Sequence, residues 1–485
     1  PVNNFILFYF FNILYNIIYK MSETEEDERS RIPNLMQLGS IPVDLTMDQD
    51  TETLDPVVNS QTFCRFVLSN KGFLHSFSKI ILGVDNAGDG TFPVNIGVHS
   101  LIERATLRIG TTVVAELDDF NHWMGYKSLF IDNQTNKERE TYTTSRIMAH
   151  DFVLKNDINA QSDVNASFYG LNTNMEYDVE TAGDEGNLQS QPEIRTGNKP
   201  TFAIAMADLF PFLQFNQLPL FAITQQVSVE LHFTPQASLK RCIHVKTDEP
   251  SGTLFNIDET QTKFVADYIY YSPEKMSEQA ELLRDSTWTY NDYRLNKRTF
   301  TQGQLQDNTI IDIGGAGRLI NKVVTALEGI RDPADSHMLN RYTSCAPSLV
   351  TNNNGRFTTN LIYNDNRLYP IDRTNSALHF HDLVQAENNV ANISRQEFTS
   401  AGTGGGLADD FTYMNYVPVS VAEGLNGNFH YIAYVLNRNE RVNSRGIQLQ
   451  LQYSTVNNIT YTHRSWLEMV KQAHLQDGMF SCDLL

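Results

Sequence analysis

A chain of 485 residues with 41% hydrophobic and 11% aromatic side chains carries enough apolar material for more than one core, because single cores stop growing at roughly 250–300 residues. Its 57 acidic against 37 basic residues, a formal net charge of −20, argue against a surface that grips nucleic acid through phosphates, which needs concentrated Lys and Arg. Charged residues make up only 19%, below the usual quarter; Asn, Gln, Thr and Ser fill the gap, which argues against a coiled coil or a long disordered chain.

Residues 1–20, PVNNFILFYFFNILYNIIYK, are apolar enough to suggest a membrane anchor. Asn3, Asn4, Asn12 and Asn16 interrupt the run, however, no basic region precedes it and no small-residue cleavage site follows. Met21 stands directly before an acidic run, so the expectation is that translation begins there and that residues 1–20 are upstream sequence; a membrane tether is the alternative. SETEEDER, Ser22–Arg29, solvates rather than folds, and residues 21–45 read as an acidic N-terminal arm.

From residue 46 the chain becomes a series of short apolar segments divided by turns. TFCRFVLS and SFSKIILGVD are candidate strands. In LIERATLRIG, residues 101–110, Ala105, Leu107 and Ile109 oppose Arg104, Thr106 and Arg108, the period of a half-buried strand. Gly110, Thr111 and Thr112 form a tight corner into a second run, Val113–Leu117. Phe120, Trp123, Tyr126 and Phe130 then recur every three to four residues, predicting a short helix that lays its rings on the sheet edge; taken alone, the stretch is also what an ordinary sandwich hairpin looks like. A polar excursion over residues 132–199 has the Gly, Pro and charge content of surface loops, which a sandwich tolerates because loop-closure entropy grows slowly. Val227, Val229, Leu231 and Phe233 alternate with Ser228, Glu230 and His232, predicting one buried and one wet face. A strand ending at Tyr271 then meets Ser272 as N-cap, Pro273 at the first helical position and Glu274, predicting a helix over 273–283 and a domain boundary.

The second half repeats the order. RLINKVVTAL and FHYIAYVLN read as buried strands, NLIYNDNRLYP as a strand entering a turn at Asn364–Asn366, and Ile447, Leu449, Leu451 and Tyr453 alternate with three glutamines. Hairpin, long loops, apolar strand and alternating strand thus occur twice, so the expected fold is all-β: two β-sandwiches in tandem joined by a short helix-containing linker. The expected divisions are 46–272 for the first, 273–295 for the linker, 296–470 for the second and 471–485 for a tail.

No convincing active site emerges. Cys64, Cys242, Cys345 and Cys482 lack CxxC spacing, so neither a zinc knuckle nor a disulfide framework is indicated, and reduced thiols in an intracellular compartment are the simplest reading. Sequons at Asn133, Asn165, Asn392 and Asn458 are expected by chance in so Asn-rich a chain. His379 and His381 share one strand face beside Asp382, but solvated histidines are commoner than ligands. The glycine loops around Gly314 and Gly402 lack phosphate-binding spacing. Asp118–Asp119 and Asp409–Asp410 are adjacent in sequence, so in a strand they point apart and cannot act as a unit without a special turn; solvated loop acids are the expected reading. Catalytic, cofactor and metal residues are therefore expected to be none.

Three of these segments, in order, resemble the first half of the double jelly-roll major capsid proteins of large DNA viruses, virophages and polinton-like elements. An L-I-x-x-x-x-L-x-I-G hairpin leading to an aromatic segment is matched by Leu101, Ile102, Leu107, Ile109, Gly110, Trp123 and Leu129; an L-P-L-x-A-I strand by Leu218, Pro219, Leu220 and on to Ile223; and a strand running into the linker helix by Val265–Ser272 and Pro273. Thr111 replaces a second glycine, PEKMSEQ replaces an acid–arginine pair, and the second half matches mainly through LIYNDNRLYP and its last strands, with the modest length favouring a virophage or polinton-like element. The resemblance implies two jelly rolls per chain and a non-enzymatic shell protein. It implies a homotrimer of pseudo-hexagonal outline tiling an icosahedral virion assembled inside the host cell, with neighbouring capsomers, penton and minor capsid proteins as partners. No cofactor and no direct nucleic-acid contact are implied, an internal membrane is not indicated, and the loops at 132–199 and 386–410 become candidates for outward towers or subunit contacts. The competing reading, a carbohydrate-binding or carbohydrate-active tandem sandwich, requires an exposed aromatic platform and a coherent acid pair, and only three tryptophans are present. A minor capsid or spike protein of the same lineage is the third.

Overall fold

A computed structural model describes residues 47–86, 90–91, 96–127, 143–144, 175–177, 192–194, 201–215, 217–242, 244–245, 255–300, 308–330, 357–370, 382, 385–386, 431–436, 440–453 and 460–485. Both helices that matter here are short, and most of the other regular structure is antiparallel sheet. In the first half lie β1 (Met47–Leu54), β2 (Phe63–Leu68), β3 (Phe73–Leu74), β4 (Lys79–Asn86), β5 (Ile102–Ile109), β6 (Thr112–Asp118), helix α1 (Phe120–Lys127), β7 (Thr201–Ala205), β8 (Leu218–Pro219), β9 (Val227–Phe233), β10 (Phe255–Ile257) and β11 (Lys263–Tyr271). Helix α2 (Pro273–Leu283) follows, then β12 (Asp285–Phe300), β13 (Asn308–Gly314), β14 (Ile320–Ile330), β15 (Phe357–Tyr363), β16 (Tyr431–Val435), β17 (Ile447–Tyr453), β18 (Thr460–Gln476) and β19 (Met479–Leu484).

The first sandwich faces a seven-stranded sheet, β7-β4-β11-β3-β8 with β1 on β11 and β10 on β4, with a five-stranded one, Val58–Asn59, β2, β9, β5 and β6. Strand period puts alternate residues inward. Phe66, Val229 and Leu107 stand in register across β2, β9 and β5 and share one buried core with Ile80 and Leu82 of β4 and with Phe264 and Tyr268 of β11. An irregularity adjusts the phase. A register shift between His232 and Phe233 pairs Phe233 with Ile102, which turns Ile102 into the core although it is out of step with Ala105 and Leu107. The β5–β6 corner closes over Gly110 and Thr111, with Ile109 opposite Thr112; Gly110 has φ +59, a conformation glycine takes without steric cost. Leu101 ends a 3-10 turn instead of opening the strand.

The wet face expected on β9 is closed. Glu230 is only 8% exposed, because Arg65 and Arg108 fold over its carboxylate at 3.6 and 2.9 Å. Period alone does not register such cover. Within the excursion 132–199, Met175–Tyr177 and Pro192–Ile194 join Gly90–Thr91 and His244–Val245 in a separate small sheet.

α2 runs from Pro273 to Leu283 with Ser272 in extended geometry at the N-cap; the Ser272 hydroxyl makes no capping bond, while its carbonyl accepts the first helical bond from Met276 N–H at 2.9 Å. The helix then gives way to β12 at Asp285, so the expected linker 273–295 is half helix and half strand. Residues 471–485 are likewise not a loose tail: β18 runs on to Gln476, turns at Asp477–Gly478 and returns as β19, paired from Lys471↔Leu484 to Gln476↔Met479. The turn closes through Gly478 at φ +81.

The second sandwich pairs the sheet β12-β18-β14-β16, with β19 on β18, against β13-β17-β15 and Asn366–Arg367. Ile447, Leu449 and Leu451 face its core as the alternation predicts, and the β15 hairpin turns through Asn364 and Asp365, both at positive φ. The apolar runs of β14 and β16 have a different explanation. On β16, Ile432 and Tyr434 enter the second core while Tyr431 and Ala433 enter the first; on β14 and β18, Val323 and Leu467 go one way and Val324 and Trp466 the other. A sheet covered on both faces has no wet side, and its strands read as unbroken hydrophobic runs.

Candidate functional site: the seam between the sandwiches

The two sandwiches meet at a seam where the doubly covered sheet packs against the first sandwich. At the corner between β6 and α1, Asp119 takes φ +48, the special turn that lets it leave the direction of Asp118. The reversal drives its side chain into the seam, where it is 7% exposed. Arg464 of β18 meets it at 2.7 Å and Lys297 of β12 at 2.9 Å. Burial would push this carboxyl up, but Arg464, His122 and Lys297 outweigh it and hold it well below the usual carboxylate range. Asp119 is therefore not the solvated loop acid that sequence suggests. Asp118 remains outside near Arg104, at 3.8 Å, with its own carboxyl raised by burial and by Glu116. The two acids do not share a groove, so the carbohydrate-active reading has no support from them.

α1 sits beside this pair. Phe120, Trp123, Met124 and Tyr126 are all buried, and the rings lie between the two sandwiches, not on the edge of one: Trp123 lies 4.4 Å from Tyr293 and 5.7 Å from Trp466, and Tyr126 5.5 Å from Tyr431. Such tilted and edge-on pairs add about 0.5–1.5 kcal/mol each beyond their buried area.

The exposed edge of the first sandwich's smaller sheet is β6, and an edge strand presents unpaired carbonyls. The second sandwich occupies them with side chains. Tyr290 O–H donates to the Val114 carbonyl at 2.7 Å, Lys471 Nζ to the same carbonyl at 3.0 Å, and Trp466 Nε1 to that of Asp118 at 3.2 Å. Lys471 also meets Asp292 at 2.5 Å, and Asp292 Oδ1 accepts the Glu116 N–H at 3.4 Å. Burial pushes the Asp292 carboxyl up against the opposing pull of Lys471, and it pushes the Tyr290 hydroxyl up as well. Farther along, the β18–β19 turn docks on the first sandwich: Thr224 N–H donates to the Gly478 carbonyl at 2.9 Å and Phe480 N–H to Gln225 Oε1 at 2.7 Å. Gln225 lies in turn against Gly110.

The signature positions fall into three groups around this seam. Leu101, Ile102, Leu107 and Ile109 fill the first core, with Leu218 and Leu220. Gly110 and Trp123 stand at the seam, and Ser272 and Pro273 begin the connection. Leu129 lies outside the described residues, as do Phe130, His379, His381, Asp409, Asp410, Gly402, all four sequons, residues 1–45 and the loop 386–410 apart from Ala386. Asp382 is buried, and the described residues contain no group of three potential metal ligands. Cys64 is buried with its thiol pushed up to about 12 by burial. Sequence reading missed Arg464, Lys471, Asp292 and Lys297. For Arg464 and Lys471 the signal is a charge within an apolar strand, THRSWLEMVK, where an unpaired ion would not be tolerated; Asp292 and Lys297 lie in a strand rich in polar and charged residues and carry no such signal.

Residues 76–272 match the family described as the major capsid protein N-terminus. No curated protein sequence matches the chain. Among solved structures, the Sputnik virophage has 13% identity over 92% of this chain and 90% of that one, with a TM-score of 0.55. The PBCV-1 virus capsid has 11% identity over 92% and 98%, TM-score 0.52, and the Faustovirus major capsid protein 9% over 90% and 92%, TM-score 0.50. At these identities the likeness is one of fold, a double jelly roll.

Proposed function

We propose that this chain, a structural capsid protein whose residues 76–272 carry the N-terminal region of major capsid proteins, forms homotrimers of pseudo-hexagonal outline that tile an icosahedral shell. The protein's place is the virion shell, among neighbouring capsid subunits. The observation that carries the trimer reading is the seam: ion pairs, rings and capped edge carbonyls fix the two sandwiches to each other, so a threefold axis would generate six sandwiches in a set arrangement. Under this reading residues 46–272 and the part after α2 are the two jelly rolls, a virophage or polinton-like element is the source class, and penton and minor proteins are further partners met inside the host cell. Light scattering on Met21–Leu485, followed by negative-stain imaging, is expected to give three chains per particle with a hexagonal outline. A clean monomer that never assembles would refute it. Deleting 176–198 is expected to impair trimer or shell formation, and unchanged assembly would make that loop decorative.

A further inference from the structure

Among its described residues the second sandwich holds a concavity that the seam does not use. A cavity of about 310 Å³ opens between β12 and the IGGAGR loop at residues 313–318, room for on the order of ten waters. Leu467 and Met469 form its floor, continuous with the second core. Arg294, Arg318 and Asn296 stand around it. Neither arginine is ion-paired among the described residues; Arg318 gives one N–H to the Leu484 carbonyl at 3.0 Å. The loop is shaped to stay thin: Gly314 and Gly315 have φ +88 and +84, and a Cβ on Gly315 would come within 2.3 Å of Ile320 Cδ1 and 3.1 Å of Leu467 Cδ2.

In a chain of net charge −20, a basic, half-apolar concavity with no acid among its described lining residues calls for an acidic occupant that also carries apolar side chains. The chain possesses such a segment. Ser22–Arg29 holds Glu23, Glu25, Glu26, Asp27 and Glu28, and Ile32, Leu35, Met36 and Leu38 follow. We propose that the N-terminal arm, residues 22–38, docks in cis into this cavity, its carboxylates on Arg294 and Arg318 and an apolar side chain on the Leu467–Met469 floor. Reach permits it. Met47 pairs with Tyr271, two residues before α2; the helix spans about 16 Å, and Arg294 lies about 30 Å along β12. The 18 residues from Arg29 to Met47 extend to about 60 Å. The strap would tie the start of the first sandwich to the side of the second, and it stands apart from the trimer reading.

Two measurements on the full-length chain test it. In the first, a fluorescein-labelled peptide of residues 22–38 is titrated into protein whose own arm is neutralised by E23Q, E25Q, E26Q, D27N and E28Q. Saturable binding is expected, weakened about tenfold by Arg294→Glu, the loss of one charge-assisted contact, and by Ala316→Asp, which changes an exposed residue at the cavity mouth. No binding, or equal binding to both variants, overturns the site. In the second, Glu26→Cys with Ala316→Cys is oxidised in a mixture of light and heavy isotope-labelled chains. Light–light and heavy–heavy disulfides alone are expected; mixed pairs overturn docking in cis and assign the arm to a second copy, and absence of the bond overturns both.

Discussion

Replacing Arg464 by Met tests whether the Asp119 cluster fixes the seam. Arg464 and Asp119 are 6% and 9% exposed at the side chain and meet at 2.7 Å, so removing the guanidinium leaves a buried carboxylate with His122 nearby and Lys297, whose side chain is 43% exposed, as its remaining ion pair. Breaking one partner of a buried pair costs about 3–5 kcal/mol; with Lys297 retained, the lower figure, about 3 kcal/mol, is expected. The double variant D119N/R464M removes the orphaned charge and is expected to lose at least about 1 kcal/mol less than the sum of the two single variants. Urea unfolding followed by tryptophan fluorescence is the assay, because the chain has three tryptophans and Trp123, Trp288 and Trp466 all lie in the core that spans the seam. A cost below about 1 kcal/mol for R464M, or strict additivity in the cycle, would refute the reasoning.

pH supplies an independent reading of the same group. The folded Asp119 carboxyl is depressed, so its contribution is present above the unfolded value of about 3.9 and is lost as pH falls through the folded value; the stability gap between wild type and D119N should be equal at pH 7 and 5 and narrow only below about pH 4. Tyr290→Phe should cost about 1 kcal/mol, since the Val114 carbonyl keeps Lys471 and is not orphaned; chemical denaturation measures it. Gly478→Ala should destabilise by more than about 1 kcal/mol, because φ is +81 and the new Cβ meets Thr224 Cγ2 at 2.6 Å, with faster amide exchange at Thr224 and Phe480 as the local readout. Cys64, with its thiol pushed up to about 12, should resist iodoacetamide at neutral pH and react on unfolding, as peptide mass spectrometry would report.

The sequence by itself determined the elements whose causes are local. Period two in residues 105–109, 227–233 and 447–453 placed their inward residues, Pro273 started α2 where its fixed φ and missing N–H are harmless, and Gly110 made the corner. The order of those elements, repeated, carried the tandem sandwich and the capsid resemblance. Tertiary structure decided what lies on the second face of each strand. Tyr431 and Ile432, or Trp466 and Leu467, look alike in a sequence, yet neighbours in each pair serve different cores, because hydrophobicity records burial and not the identity of what buries it. The same limit hid the seam. Asp119 and Arg464 are separated by 345 positions, and only the positive φ at Asp119, set by the β6–α1 corner, turns an apparently solvated acid into the ion that holds two sandwiches together.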